Sequence, residues 1–91
     1  GLGLEARASG NGYLFQVSGV ESGSVRLAVI DMAGREVWSR LANDGSRSFQ
    51  WNGVAKSGMT VGTGVYAIRL SVLDSRGRTV ATRELRLPLM Q

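Results

Sequence analysis

Residues 51–70, WNGVAKSGMTVGTGVYAIRL, join a tryptophan-led turn to a strand, with four glycines between them. Phe49 and Trp51 fall on one face of a short strand, Ser46 to Asn52. Asn52-Gly53 is a strong turn signal because both residues tolerate positive φ. Gly58, Gly62 and Gly64 then permit a loop that bends repeatedly. From Val65 to Leu73 the chain reads VYAIRLSVL. Tyr66, Ile68, Leu70 and Val72 alternate onto one apolar face, and Val65, Ala67, Arg69 and Ser71 take a more polar one. This period of two, with β-branched and aromatic residues, predicts a half-buried antiparallel strand, central in its sheet.

The remaining strands are placed by the same alternation. Gly1 to Gly10 sets Leu2, Leu4 and Ala6 on one side and reads as an edge strand or a linker. After an Asn11-Gly12 turn, Tyr13 to Ser18 puts Tyr13, Phe15 and Val17 on one face and Leu14 on the other. Gly19 to Ser24 is a loop. Val25 to Asp31 points Val25, Leu27 and Val29 inward, with Arg26 and Ala28 outward. Arg35 to Leu41 follows, with Val37, Ser39 and Leu41 on one face and Glu36, Trp38 and Arg40 on an opposite, polar face.

Between these two strands Asp31-Met32-Ala33-Gly34-Arg35 supplies a hairpin turn, the aspartate accepting backbone N–H bonds and the glycine taking the left-handed position. Asp74-Ser75-Arg76-Gly77-Arg78 repeats the D-x-x-G-R pattern, so one turn design is used twice without duplicating the domain. The last strand is expected from Arg78 to about Leu87, with a bulge between Val80 and Leu85 and with Pro88 ending its pairing. About seven strands without a helix predict an all-β fold, an antiparallel β-sandwich.

The chain has 91 residues, 13 glycines and one proline, and is 43% hydrophobic. That is enough for one modest core in a single domain, residues 1–91. The lack of an initiating methionine and of a signal peptide suggests a domain cut from a longer protein, or a mature fragment. No apolar run approaches the roughly 20 residues that span a membrane as a helix. Eleven Lys and Arg residues, ten of them arginine, outweigh seven acids. This balance suits either a solvated surface or an acidic partner.

Histidine and cysteine are both absent. Serine–histidine and cysteine–histidine nucleophiles are therefore excluded within this chain, as are thiolate metal sites. The acids sit at turns or among basic residues, and no two suggest a shared cleft. We expect no enzymatic activity of this segment and no cofactor. Asn43-Asp44-Gly45-Ser46 lacks the ligand spacing and distant glutamate of a calcium loop and reads as a polar turn. Gly62-Thr63-Gly64 precedes a strand, so it is not a phosphate loop. Trp51 and Tyr66 read as core. Trp38, between Glu36 and Arg40, is the candidate for an exposed aromatic that would meet a glycan or partner with Arg40 and Arg26. Arg26, Arg40, Arg69 and Arg83 are placed on outward faces, but no RNA- or DNA-binding motif accompanies them, and nucleic acid is not expected as a partner.

Two motifs in order resemble a known family. Ile30 to Val37 matches a Y-D-x-x-G-R-x-V hairpin. Trp51-Asn52-Gly53, Gly58, Val61 and Gly64-Val65-Tyr66 match W-D-G-x-x-x-x-G-x-x-V-x-x-G-x-Y. Together they resemble the flagellar hook-capping (FlgD-like) immunoglobulin-like domains and the related C-terminal modules of secreted bacterial proteins, including type IX secretion sorting domains. Asn52 stands where the motif has aspartate, and residues 85–91 lack a lysine-rich sorting tail. The basic charge is similar to that of basic terminal domains on glycoside hydrolases of fibre-degrading bacteria. The resemblance implies an immunoglobulin-like sandwich, secreted or at the cell surface, that serves sorting, attachment or spacing of a parent such as a polysaccharide-degrading enzyme. Its partners would be outer-membrane secretion or surface-attachment proteins. A carbohydrate-binding module and a structural assembly domain of the hook-capping kind are the alternatives. Asp31, Gly34, Arg35, Trp51, Gly53, Gly64 and Tyr66 mark the family, with structural roles.

Overall fold

Each amphipathic strand has one apolar face to bury, and two stacked antiparallel sheets bury them against each other. The computed structural model describes residues 1–90. Its strands are β1 (Gly3–Ser9), β2 (Gly12–Ser18), β3 (Ser24–Ile30), β4 (Glu36–Ala42), β5 (Ser48–Trp51), β6 (Gly64–Leu73) and β7 (Thr79–Leu89). The smaller sheet has the order β1-β2-β5 and the larger β4-β3-β6-β7. This is the arrangement of an immunoglobulin-like sandwich whose fourth strand joins the larger sheet. Gly3–Ser9 forms an outer strand, and β6 is interior to its sheet, as its apolar alternation requires.

The core follows the faces read from β2, β3, β5 and β6. Phe15 of β2 and Phe49 and Trp51 of β5 pack against Val25, Leu27, Val29, Ile68 and Leu70 of the larger sheet, all 2% exposed or less. Each such side chain contributes about 1.5–3 kcal/mol on burial. Among the described residues no polar or charged residue is buried.

The larger sheet is built from one hairpin used twice. Residues 25–42 and 68–85 agree at Arg26/Arg69, Leu27/Leu70, Val29/Val72, Asp31/Asp74, Gly34/Gly77, Arg35/Arg78, Val37/Val80 and Arg40/Arg83. The pairing of β3 with β6 places Leu27 opposite Leu70, Val25 opposite Val72 and Val29 opposite Ile68. The copies are thus related by a local two-fold axis through the leucine pair. Their turns match bond for bond. The N–H groups of Asp31 and Asp74 donate to the carbonyls of Arg35 and Arg78, each at 2.9 Å, and those of Gly34 and Gly77 donate back at 3.0 Å. The two glycines have φ of +82° and +80°, a region where a side chain is costly. One extra residue follows each turn, Val37 between the pairs Val29–Trp38 and Ile30–Glu36, and Val80 between Val72–Ala81 and Leu73–Thr79. The sequence-derived repeat therefore extends beyond the turn into both strands.

Three expectations about faces and ends are corrected. Trp38 and Arg40 pair with Val29 and Leu27, so the presumed polar face of β4 points into the sandwich, while Leu41 is 58% exposed. Glu36 is separated from that face by the extra Val37. Arg83 likewise pairs with Leu70, so Arg40 and Arg83 lie on the inner face of the two edge strands, and of the four arginines expected outward Arg26 and Arg69 are so placed. Arginine is admitted there because a long stem covers apolar surface while its head reaches water past the edge. Finally, Pro88 does not end the pairing. It sits opposite Val65 within β7, which runs to Leu89. An edge strand tolerates a missing N–H.

Candidate functional site

Two hydrogen-bonded loops meet at one end of the sandwich. The first is the β3–β4 turn. Oδ1 of Asp31 accepts the N–H of Ala33 at 3.0 Å and of Arg35 at 2.8 Å. Its Oδ2 accepts the Arg35 side-chain Nε–H at 3.0 Å. The Arg35 backbone N–H is the largest cause holding the Asp31 carboxyl below its ordinary 3.8.

The second loop is the corner after β5. The indole N–H of Trp51 donates to the Val54 carbonyl at 2.9 Å, and Oδ1 of Asn52 accepts the Val54 N–H at 3.1 Å. An amide oxygen fills this acceptor role, so the asparagine at the motif's aspartate position leaves the turn intact. Gly53 has φ +79°, and its carbonyl accepts the Val61 N–H at 2.9 Å. The Lys56 N–H donates to the Val37 carbonyl at 2.9 Å, fastening this loop across the bulge of β4. The Tyr66 hydroxyl donates to the Gly62 carbonyl at 2.8 Å. This is the bond by which immunoglobulin-like domains commonly tie the corner before their sixth strand.

Two adjoining clefts, about 340 and 470 Å³, share Asp31, Arg35 and Tyr66 as a common wall. Met32 borders the first and Met59 the second, 74% and 73% exposed. Lys56 adds a cation to the second. Exposed methionines beside cationic side chains form an adaptable, partly apolar surface. The sequence reading did not single out Met32 and Met59. Their signal is an apolar residue inside a turn or glycine-rich loop, where no strand face can bury it.

The family-motif residues divide in two. Asp31, Arg35, Gly64 and Tyr66 line the first cleft, with Gly34 shaping its turn, whereas Trp51 and Gly53 hold the corner behind it. Gly64 is not conformationally required, since a Cβ there would meet only the Tyr66 ring at an ordinary 3.7 Å.

The proposed contact set of Trp38, Arg40 and Arg26 is not brought together. Trp38 is half-buried and stacks on Trp51, with ring centroids 5.5 Å apart, and it also contacts Phe15 at 6.2 Å. The guanidinium of Arg40 lies 5.8 Å from the Phe49 ring centroid on the opposite sheet. Arg26 is on the other face of the sheet, bonded to Glu36 at 2.6 Å. That bond is the largest cause lowering the Glu36 carboxyl below its ordinary value. A flat aromatic platform beside arginines is therefore absent at Trp38, because its ring face completes the core. In the 43–46 turn Asp44 accepts the Ser46 N–H at 2.9 Å. Among the described residues no group of three acids could hold a metal ion, and no helix is long and apolar enough to cross a membrane.

No family model matches the chain, and no curated protein matches it. Among solved structures it is similar to part of PorZ, an essential bacterial surface component of the type-IX secretion system of Porphyromonas gingivalis, with a TM-score of 0.60 and 20% identity. The likeness covers 89% of this chain and 10% of that one. It is a likeness of fold, to one short stretch of a far longer protein.

Proposed function

We propose that this chain is a non-catalytic accessory domain of a secreted or surface-exposed bacterial protein. Its task is sorting, surface attachment or spacing, through contact with outer-membrane secretion or surface-attachment proteins. The observation that carries this reading is the fold shared with a segment of a type-IX secretion component. The ordered hairpin and W-N-G…G-V-Y motifs support the finer relation to hook-capping-like and sorting domains. The site chemistry agrees: Asp31 is engaged by its turn and Glu36 by Arg26, and the side chains presented outward include the two methionines, Arg35 and Lys56.

The test is a fusion of this domain to a periplasmic reporter in a bacterium with type IX secretion, beside a strain lacking the secretion pore. Protease-accessible or released reporter is expected only with the domain and only with the pore. Reporter retained in the periplasm of both strains would reject a sorting role. The hairpin variant Asp31→Ala, if still folded, should lower export by loosening the cleft wall.

A further inference from the structure

The two copies of the hairpin differ in what covers them. In the first, the loop after β5 crosses the bulge, the Lys56 N–H bonding the Val37 carbonyl at 2.9 Å while Val37 packs against the core. In the second, the equivalent Val80 is 63% exposed, and among the described residues no loop donates to its carbonyl. The shared register turns that carbonyl toward the free edge of β7, as it turns that of Val37 toward the edge of β4. A cleft of about 440 Å³ opens beside it, lined by Ser22, Gly23, Asp74 and Ser75. Under the two-fold relation this is the counterpart of the cleft lined by Val65, Tyr66, Asp31 and Met32. Arg76, Arg78 and Arg83 lie within four residues of the uncovered Val80 along the chain, and none is in an ion pair among the described residues. The Asp74 carboxylate is engaged by the backbone N–H groups of Arg76 and Arg78, at 2.8 and 3.0 Å.

We propose that the β7 edge at Val80 binds an extended, acidic polypeptide segment of a partner protein. The first copy shows the kind of occupant, a stretch of backbone that satisfies the bulge carbonyl and covers the valine. A strand edge offers alternating N–H and C=O groups, which a polypeptide satisfies along its length and a glycan does not. The charge requirement comes from the three free arginines, which draw carboxylates and resist cations. A second copy of this chain is a poor occupant, because the chain carries a net charge of +4. Pairing would stop before Pro88, which has no N–H to offer. This site lies apart from the Met32–Met59 clefts, so peptide capture and secretion of a fused reporter can succeed or fail independently.

The experiment is a titration of the isotope-labelled domain with a synthetic peptide of alternating glutamate and valine, followed by backbone amide shifts. Shifts confined to Thr79–Arg83 and neighbouring Ser22–Ser24 are expected. They should vanish in Val80→Asp, whose exposed site leaves the fold intact, and weaken in Arg78→Gln/Arg83→Gln. The alternating lysine–valine peptide and polygalacturonate should leave the β7 amides unmoved. Any of four results overturns the proposal: no shifts on β7, shifts spread over every arginine, persistence in Val80→Asp, or an equal response to polygalacturonate. Shifts on β7 that grow with protein concentration alone would also reject it, in favour of self-association.

Discussion

Trp38 and Trp51 stack across the sandwich, with centroids 5.5 Å apart and planes 28° from parallel. The pair joins β4 of one sheet to β5 of the other, at the end where the hydrogen-bonded loops meet. Truncation of Trp38 should therefore register as lost stability. Trp38→Ala is expected to cost about 2–3 kcal/mol, less than a fully buried tryptophan because the ring is half-buried. Urea unfolding measures this. An unchanged midpoint would show that the stack contributes nothing.

Trp51→Phe separates the ring from its polar handle. Phenylalanine keeps most of the apolar burial but cannot donate to the Val54 carbonyl, which the indole N–H reaches at 2.9 Å. The expected loss is about 1–2 kcal/mol from the unmade bond, plus the smaller ring volume. Amide exchange should also quicken at Val61, whose N–H bond to Gly53 closes the same corner.

Asp31 carries an acid-sensitive part of the stability. Its carboxyl is held below the ordinary 3.8, chiefly by the Arg35 backbone N–H. A depressed folded value means that the contribution is fully present above the unfolded value and is lost as pH falls through the folded one. Carboxyl titration by NMR should give a midpoint below 3.8. Asp31→Asn keeps an oxygen acceptor but loses the charge facing Arg35. It should be the less stable protein at neutral pH and converge with the wild type in strong acid. A constant difference across that range would refute the assignment.

Two glycines outside any positive-φ turn should behave oppositely. A Cβ at Gly12 would overlap the Trp51 carbonyl oxygen, because β5 approaches β2 there. A Cβ at Gly64 meets only ordinary contact. Gly12→Ala is expected to lose more than about 3 kcal/mol, as overpacking against backbone that cannot give way. Gly64→Ala should stay within about 0.5 kcal/mol of the wild type. Thermal melts of the two variants decide it.

The strands, both D-x-x-G-R turns and the inward faces of β2, β3 and β6 are legible in the residues alone. Those features are local: alternation of apolar side chains, an aspartate acceptor and a glycine in a left-handed position. Trp51 and Tyr66 read as core there too, Trp51 from the face it shares with Phe49 beside a tight turn and Tyr66 from its place at the head of an apolar strand face.

What depends on neighbouring strands emerges only once the sheets assemble. Trp38 faces inward because β4 pairs with Val29 and Leu27, and its own flanking charges suggested the reverse. Arg40 is admitted beside it because β4 is an edge, where a guanidinium can rest on Phe49 and still reach water. Pro88 continues a strand because β7 is the other edge. Val37 and Val80 occupy the same place in the same motif, yet one is covered and the other is 63% exposed. Only the path of the loop after β5 makes them differ, since burial belongs to the assembled sandwich and not to the motif.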